Sequence, residues 1–289
     1  MSDPIFSIII PTFNSGKTLR RCLDSIFLQT CQQFEIYIID NCSSDNTLEI
    51  INEFECTCSH IYTESLIDDG IYDAMNKGIS LANGEWLYFM GSDDTLYDRN
   101  VLARIAEETQ TTKASIIYGN VIINGENQWN LNGKAFAGEF SLERLLRLNI
   151  CHQAIFYHRS VFDKCGNYDL NYPVFADYAF NLKCFSKVTF SYLNLIIANF
   201  WVGGHSTTNH DLNFNNHRGT LFYKYFKLEI FGSPFLMSRL YLKRAAFSSL
   251  SSLNFAERLI CLLAYAKLKG QSMVPWGMEQ RSISDGWNI

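Results

Sequence analysis

The sequence has few charged residues and no long uninterrupted apolar run, and both shortages limit the class of protein it encodes. Charged residues make up 18% of the 289 positions, against 47% apolar and 15% aromatic. This balance predicts a globular chain with a sizeable core, long enough for one large domain or a domain with an extension. No stretch approaches the roughly 20 apolar residues of a membrane-spanning helix. No basic segment followed by an apolar run opens the chain, so we expect no signal peptide.

The spacing of cysteine and of glycine argues against two kinds of site. The nine cysteines are odd in number and scattered. Cys56 and Cys58 are too close together and too isolated for a zinc site, so we predict reduced, mostly buried thiols in a cytosolic protein. No G-x-G-x-x-G follows the first apolar run, which argues against a dehydrogenase.

The net charge of −5 is unevenly distributed along the chain. Residues 1–217 carry 14 Lys and Arg against 25 Asp and Glu, whereas residues 218–269 carry nine against two. In 218–269 the basic residues, Arg218 among them, alternate with leucines and aromatics such as Phe222 and Phe226, a pattern typical of segments that lie on anionic membranes. The alternative is packing against the rest of the protein with a solvated basic face. We predict an anionic membrane surface as the partner, and no nucleic acid.

Strands and helices are predicted to alternate in residues 1–98. Short apolar runs bounded by Gly, Pro or Asp predict strands at 6–10, 35–39, 60–62 and 85–90. Apolar residues at helical spacing predict helices at 19–27 and 71–82. Capping residues within 43–47 predict another helix, which runs to about residue 54. Because short connections link the elements, we predict parallel βαβ units, with the carboxyl ends of the strands at one edge.

The pattern changes after residue 98. We predict helices at 101–108, 142–148 and 176–185, and strands at 115–118, 151–157, 188–192 and 196–200. Asn124-Gly125 predicts a hairpin between 121–123 and 128–129. Residues 215–270 are predicted to be helical. The fold class is therefore α/β, a mainly parallel twisted sheet flanked by helices, with a helical C-terminal extension.

Acidic residues end three of the predicted strands, at Asp40, Glu64 and Asp93-Asp94. Two adjacent carboxylates after a buried strand are costly unless a cation or donors neutralise them. Hard divalent cations bind carboxylate oxygens and often bridge to substrate phosphates, which indicates a metal–diphosphate site. The alternative for Asp93-Asp94 is an Asp-rich turn, and for Asp40 a turn or helix cap.

Four segments together resemble the inverting family 2 glycosyltransferases, over about residues 5–205. They are SIIIPTFN, IIDNCSSDNT, DDGIYDAMNKGISLANGEWLYFMGSDD and HQAIFY with FADYAF. The resemblance implies a GT-A fold and a nucleotide-sugar donor, and it is greatest to bacterial O-antigen and capsular polysaccharide enzymes. It implies a catalytic domain at 1–214, with a nucleotide-binding half at 1–98 and an acceptor half at 99–214. A basic helical extension would occupy 215–289.

The resemblance also implies roles for residues around the donor. Asp40 would read uracil, Asp93 the ribose, and Asp94 would coordinate Mn²⁺ or Mg²⁺. The nucleotide would be bordered by Pro11, Thr12 and Asn14. Asp73 and Lys77 would face the donor, with helix capping and a solvated lysine as the alternatives.

Asp177 matches the carboxylate that serves as the general base of these enzymes. A single inverting displacement needs a base that takes the proton of the acceptor hydroxyl. The family often has an acid before this Asp, where the present sequence has Ala176, and an N-cap is the alternative role. His152 and Gln153 are candidate acceptor or sugar contacts, or core residues. His205 is a candidate for reaching the metal or diphosphate, or part of a flexible turn.

The function implied is transfer of one sugar from a UDP-sugar, carrying Glc, Gal or an N-acetylhexosamine, to a lipid-diphosphate-linked saccharide. The setting implied is lipopolysaccharide O-antigen synthesis, by a peripheral enzyme on the inner face of the bacterial cytoplasmic membrane. The absence of Q-x-x-R-W and of membrane spans argues against a processive synthase. Two alternatives stay open: a non-catalytic module that binds a nucleotide sugar or a partner, and a nucleotidyltransferase.

Overall fold

The computed structural model describes residues 3–127, 130–203 and 211–271. The chain divides into two compact units. The first comprises Met1–Glu139, Cys151–Pro173 and Val188–Gly204, and the second Phe140–Ile150, Val174–Lys187 and His205–Ile289. Residues 140–150 and 174–187 group with the C-terminal helices, so each unit is built from separate segments of the sequence. The domain boundary at residue 214 stays a prediction.

The first half of the first unit is a parallel sheet, as the sequence predicts. The order β3-β2-β1-β4 places β1 between two parallel neighbours. The strands are β1 Phe6–Thr12, β2 Phe34–Asp40, β3 Ile61–Ser65 and β4 Trp86–Phe89. The helices between them are α1 Leu19–Phe27, α2 Thr47–Glu55 and α3 Ile71–Leu81.

Apolar sequence on both faces explains why β1, β2 and β4 lie at the centre. Every residue of these three strands is buried, as expected for a parallel sheet covered on both sides. Helix α3 packs against β1 and β2, and α1 also has one buried face, made of Leu19, Cys22, Leu23 and Ile26. The carboxyl ends of β1, β2 and β4 therefore meet at one edge, which is where ligands bind in open α/β sheets.

The other half of the sheet is mixed. Across the described residues, nine strands form one sheet, with β8, β6, β9 and β5 following β4, and β7 beside β6. The pairings among β1 to β4 are all parallel, whereas those of the other strands are antiparallel except for the parallel pair β6–β9. These strands are β5 Thr95–Leu96, β6 Ile116–Asn124, β7 Ala135–Phe136, β8 Ile155–His158 and β9 Phe190–Trp201. The helices are α4 Val101–Thr111 and α6 Ser160–Cys165.

Three predicted strands in this half differ from the structure. The two strands expected at 188–192 and 196–200 are one continuous strand, β9, which follows β6 past an irregularity near Asn120. Residues 152–154 form a 3-10 turn, and the strand begins only at Ile155. Val121 and Ile122 pair with Phe136 and Ala135, while residues 128–129 lie outside the described residues.

The second unit is helical, and a buried arginine lies in its core. Its helices are α5 Leu142–Leu145, α7 Ala176–Phe185, α8 Leu212–Phe226, α9 Arg239–Phe247 and α10 Phe255–Gln271. Arg218 donates to the Leu146 carbonyl oxygen and the Tyr178 hydroxyl, both at 2.6 Å. Within 3–127, 130–203 and 211–271, no helix combines the length and hydropathy that crossing a bilayer requires.

Candidate active site

Adjacent carboxylates follow β4 at the edge where the parallel strands end. Asp94 is fully buried, and its Oδ1 accepts a hydrogen bond of 2.8 Å from the backbone N–H of Trp201. Its Oδ2 is buried without a hydrogen-bond partner. Burial, and next the charge of Asp93, raise the pKa of the Asp94 carboxyl well above its usual range. The Gln153 amide lowers that pKa but makes no hydrogen bond of normal geometry to Oδ2.

Asp93 lies beside Asp94 in a less enclosed position. Burial raises the pKa of Asp93, while its own backbone N–H and the charge of Arg21 lower it. Both carboxylates turn an oxygen toward Gly91: a Cβ at that position would lie 2.5 Å from Asp94 Oδ2 and 2.8 Å from Asp93 Oδ1. Glycine is therefore required here by the close approach of the two acids.

The two carboxylates fit a hard divalent cation. Mg²⁺ and Mn²⁺ are commonly held by one or two carboxylates plus substrate phosphates, and the orphaned Oδ2 of Asp94 is an oxygen ligand that the protein itself does not use. Among the described residues no group of three or more His, Cys, Asp and Glu side chains forms a metal cluster.

Asp40, at the end of β2, is fully buried and already accepts three hydrogen bonds. Ser43 donates through its N–H at 2.9 Å and through its hydroxyl, and the Ser65 hydroxyl donates at 2.7 Å. These contacts give Asp40 the turn-capping role that the sequence left as an alternative. Its role as a reader of uracil stays a prediction.

The loop after β1 is held by the loop after β2. Three successive backbone N–H groups donate to side chains there: Asn14 to Ser43 at 2.8 Å, Ser15 to Thr47 at 2.8 Å and Gly16 to Asp45 at 3.0 Å. Pro11 and Thr12 are aligned with Ile39 and Asp40 across the strand pair. The structure thus brings Pro11, Thr12 and Asn14 to the same edge as Asp40.

The Ser15 and Ser92 hydroxyls lie 2.7 Å apart and join this loop to the segment that carries Asp93 and Asp94. Loop 13–16 therefore contacts both the Asp40 region and the paired carboxylates. This short chain of hydrogen bonds is what assembles the predicted nucleotide edge from three separate strand ends.

Asp73 and Lys77 form an ion pair one turn apart on α3, with 3.3 Å between Asp73 Oδ2 and Lys77 Nζ. Asp73 also accepts from the Asp69 N–H at 3.2 Å, and Lys77 donates to the Ile67 carbonyl at 3.3 Å. The pair thus secures the loop that precedes α3. Contact of either residue with a donor stays a prediction.

His152 and Gln153 lie in the 3-10 turn before β8. The His152 ring packs 5.4 Å from the ring of Phe89 and 6.1 Å from that of Tyr168. Burial lowers the pKa of His152 to about 4, so the ring is neutral at neutral pH. The Gln153 side chain, by contrast, lowers the pKa of the Asp94 carboxyl. His205 lies outside the described residues.

In the second unit, Asp177 is buried in the first turn of α7. Its Oδ2 accepts a hydrogen bond of 2.6 Å from the Asn149 amide, whose oxygen accepts from Asn181 at 2.9 Å. The helix begins at Ala176 with Phe175 at the N-cap position, so the alternative role of Asp177 as the N-cap is wrong. Its role as a base stays a prediction.

Residues that the sequence reasoning missed hold these carboxylates in place. Arg21 donates to the Asp93 carbonyl at 2.6 Å, and its guanidinium lies 4.1 Å from the centroid of the Trp201 ring. Asp211 accepts from Val174 and Phe175, just before α7. The sequence carried a signal only for Asp211, as a capping type in front of a helix; Arg21 contacts residues distant in sequence.

Comparison with known proteins identifies the family of the chain and agrees with its fold. The model of glycosyl transferase family 2 matches residues 7–166. A PGL/p-HBAD biosynthesis glycosyltransferase of Mycobacterium bovis is 44% identical over 215 residues, which are 72% of this chain and 81% of the relative.

Two solved structures are similar to the chain in fold. One is Staphylococcus aureus TarS 1–349 in complex with UDP-GlcNAc, with a TM-score of 0.60, 18% identity and coverage of 92% and 73% of the two chains. In a longer TarS structure the chain covers 42% of the protein. The other is the mannosyltransferase PcManGT from Pyrobaculum calidifontis with GDP-Man and Mn²⁺, with a TM-score of 0.57, 13% identity and coverage of 96% and 77%. The predicted GT-A fold and the predicted family are confirmed.

Proposed function

The chain belongs to glycosyl transferase family 2, and on that basis we propose that it transfers one sugar from a UDP-sugar to a lipid-diphosphate-linked saccharide, with inversion. The donor sugar is Glc, Gal or an N-acetylhexosamine. The setting proposed is bacterial surface polysaccharide synthesis of the O-antigen type, at the inner face of the cytoplasmic membrane.

The observation that carries the proposal is the buried Asp94, with one carboxylate oxygen that has no hydrogen-bond partner, next to the half-buried Asp93. Asp94, with Asp93 beside it, would hold Mn²⁺ or Mg²⁺. When bound, the cation supplies Lewis acidity that stabilises the departing diphosphate. Burial raises the pKa of both carboxyls, and the Asp93 charge raises that of Asp94 further; a cation held between them would favour their charged forms.

The protein's own side chains have separate tasks in the proposal. Asp40 accepts from the uracil N–H through lone-pair capacity beyond its three present hydrogen bonds, since a carboxylate has about four acceptor positions. Asp93 accepts from the ribose hydroxyls. Asp177 takes the proton of the acceptor hydroxyl as the new glycosidic bond forms.

The arrangement of loop 13–16 bears on the nucleotidyltransferase alternative. A phosphate-binding loop uses free backbone N–H groups to cradle phosphates. In this chain the N–H groups of Asn14, Ser15 and Gly16 all donate to side chains of residues 43–47. This engagement favours glycosyl transfer over nucleotidyl transfer.

Donor hydrolysis distinguishes an enzyme from a non-catalytic module of the same fold. The full-length protein is incubated with UDP-Glc, UDP-Gal, UDP-GlcNAc, UDP-GalNAc and, as a base control, GDP-Man, each with Mn²⁺ or with excess EDTA. We expect UDP release from one UDP-sugar, dependent on Mn²⁺ and lost in Asp94→Asn. Binding without hydrolysis or transfer would favour the module, and full activity in excess EDTA would contradict the role of the metal.

A further inference from the structure

Large apolar side chains are exposed at an unusual density in the C-terminal helices. Half of the exposed large apolar residues in the described chain lie between residues 212 and 263. Monomeric soluble proteins rarely expose contiguous apolar patches of more than a few hundred Å², and patches bordered by polar residues mark interaction sites. The exposed apolar residues of this segment are therefore candidates for an interaction surface.

Helix α9 exposes one stripe that combines apolar and basic residues. Leu240 and Phe247 are 58% and 66% exposed, and Lys243 and Arg244 between them are also exposed. Spacings of three and four residues place all four on one side of the helix. The buried side is formed by Leu242, Ala245 and Ala246, so the stripe is not part of the core.

Helix α10 repeats the arrangement. Leu259 and Leu263 are 46% and 53% exposed, and Lys267 follows one turn later, with Lys269 also exposed. The buried side consists of Cys261, Ala264 and Leu268. The ammonium group of Lys243 lies 5.6 Å from the ring centroid of Tyr265, so the basic part of α9 adjoins α10.

Negative charge is nearly absent from these two helices. Helix α9 contains no Asp or Glu. Glu257 of α10 is used at the helix start, where it accepts from the Asn254 N–H at 2.9 Å while Asn254 accepts from the Glu257 N–H at 3.1 Å. This reciprocal pair is a capping box, so the remaining exposed charge is positive.

The structure corrects which residues of 218–269 are exposed. Arg218, Phe222 and Phe226 are buried, so they belong to the core of the second unit. The exposed set, which we call the α9–α10 surface, comprises Leu240, Lys243, Arg244, Phe247, Leu259, Leu263, Lys267 and Lys269.

We propose that the α9–α10 surface docks on an anionic lipid bilayer, with its leucines and phenylalanine in the interface and its lysines and arginine at the headgroups. Lysine and arginine near such a membrane are attracted to anionic lipids, and apolar side chains add binding by burial in the boundary region. A nucleic acid would use the charges but would leave the four exposed apolar side chains in water. A second copy of the chain would bring two positive surfaces together.

Vesicle sedimentation with the full-length protein tests the charge component. The vesicles are phosphatidylcholine alone or phosphatidylcholine with 30 mol% phosphatidylglycerol (about a third anionic, to give the negative surface potential that basic segments require). We expect binding to the anionic vesicles only. Lys243→Gln with Arg244→Gln, Lys267→Gln and Lys269→Gln should weaken it by roughly a hundredfold or more, because each basic residue contributes a roughly fivefold factor near such a surface.

The matched charge control removes four exposed basic residues from the first unit, as Arg99→Gln, Lys113→Gln, Lys134→Gln and Lys164→Gln. Its net charge equals that of the α9–α10 variant, so it should bind the anionic vesicles like the unaltered protein. Equal loss of binding in both variants would show that only net charge matters and would overturn the docking surface.

Phe247→Ser with Leu263→Ser tests the apolar component at unchanged charge. We expect a loss of vesicle binding of roughly tenfold or more, whereas Leu28→Ser with Leu170→Ser, both exposed in the first unit, should have no effect. Failure of the unaltered protein to sediment with anionic vesicles overturns the proposal. So does a monomer–dimer equilibrium, measured by sedimentation velocity, that the Phe247 and Leu263 changes abolish while vesicle binding persists. Because no sugar donor or acceptor is present, the outcome does not depend on the proposed transfer.

Discussion

The backbone N–H of Trp201 donates a hydrogen bond of 2.8 Å to Oδ1 of Asp94, although 107 positions separate the two residues. This bond fixes one carboxylate oxygen and leaves the other available at the edge of the sheet. Arg21 strengthens the arrangement, because its guanidinium stacks on the Trp201 ring and donates to the Asp93 carbonyl. The segment proposed to bind the metal is therefore held from two sides, by the Trp201 backbone and by Arg21.

Replacing the Arg21 guanidinium with an uncharged amide should weaken metal binding. Arg21→Gln loses both the stacking and the hydrogen bond to the Asp93 carbonyl, and changes to groups that orient metal ligands typically cost 10- to 100-fold in affinity. Calorimetric titration with Mn²⁺ in the presence of UDP measures the effect. Arg20→Gln is the matched control, since Arg20 is the preceding residue of α1 and pairs with Glu53. Equal Mn²⁺ affinity in Arg21→Gln and the unaltered protein would show that Arg21 does not orient the two carboxylates.

A methyl group at position 91 should disturb both carboxylates at once. The Cβ of Gly91→Ala would lie 2.5 Å from Asp94 Oδ2, which is closer than atoms in contact allow. We expect at least a tenfold loss of Mn²⁺ affinity and of transfer, of the order seen when metal ligands are misoriented. Gly270→Ala is the control, because nothing lies within 4 Å of its Cβ position. A Gly91→Ala protein that folds and binds Mn²⁺ normally would count against the paired-carboxylate site.

Glu35 forms a second buried carboxylate site, at the other end of the parallel strands. It accepts from the Ser7 hydroxyl at 2.6 Å and from the N–H groups of Asn83 and Gly84 at 2.6 and 3.0 Å. Burial raises its pKa, but these hydrogen bonds outweigh burial and hold the pKa below its usual value. The Tyr37 hydroxyl also donates to it. The charged form therefore stabilises the folded state.

Stability should consequently depend on pH in the acid range. A lowered folded-state pKa gives stability that is complete above the unfolded value of about 4.3 and is lost as pH falls through the folded value. Glu35→Gln should lower the free energy of unfolding by about 1–3 kcal/mol at pH 7, with the difference shrinking below pH 4. Urea unfolding at several pH values measures this, with Glu107→Gln on the exposed side of α4 as the control. A difference that stays constant with pH would contradict the role of the ionised form.

Local pattern was sufficient to predict the elements of residues 1–98 and their direction. Strands β1 and β2 are short apolar runs closed by Pro11 and Asp40, and α1 shows its buried face directly in the sequence. The mixed half was harder to predict for a physical reason. Strand β9 reads as two strands because Asn194 interrupts the apolar run, yet pairing with β6 continues past the irregularity there. Such long-range pairing leaves no local signal.

The candidate site likewise contains residues that local sequence predicts and residues that it does not. Asp40, Asp93 and Asp94 were predictable because acids at strand ends share an edge in a parallel sheet. Their partners were not, since Trp201 contributes a backbone N–H that any residue except proline has. Arg21 lies on the exposed side of an amphipathic helix, where arginine is ordinary. The basic composition of residues 218–269 also could not predict that Arg218 is buried among four aromatic rings.

Asp211 should position the start of α7. Its Oδ2 accepts from the N–H groups of Val174 and Phe175, both at 3.1 Å, and its Oδ1 caps α8 through Phe214 at 2.8 Å. Asp211→Asn retains an oxygen for the α8 cap but loses the second acceptor. We expect kcat to fall about tenfold, because a small displacement of Asp177, the proposed base in the first turn of α7, would slow the reaction. The affinity for UDP-sugar should be unchanged. Asp163→Asn, exposed on α6, is the control. Unchanged kcat in Asp211→Asn would contradict the positioning role.

Asp177→Asn separates catalysis from binding most directly. The amide oxygen of asparagine can accept the same hydrogen bond from Asn149 that Asp177 Oδ2 accepts at 2.6 Å, so we expect the fold to be retained. An amide has almost no basicity, so transfer to a lipid-diphosphate acceptor should fall by roughly a hundredfold or more. UDP-sugar affinity, measured by calorimetry, should not change, because the proposed function gives nucleotide binding to Asp40, Asp93 and a cation on Asp94. If affinity and transfer fall together, Asp177 is structural through its contact with Asn149. If neither falls, the base is another residue. His152 is poorly suited to that role, because a pKa of about 4 makes it a weak base at neutral pH.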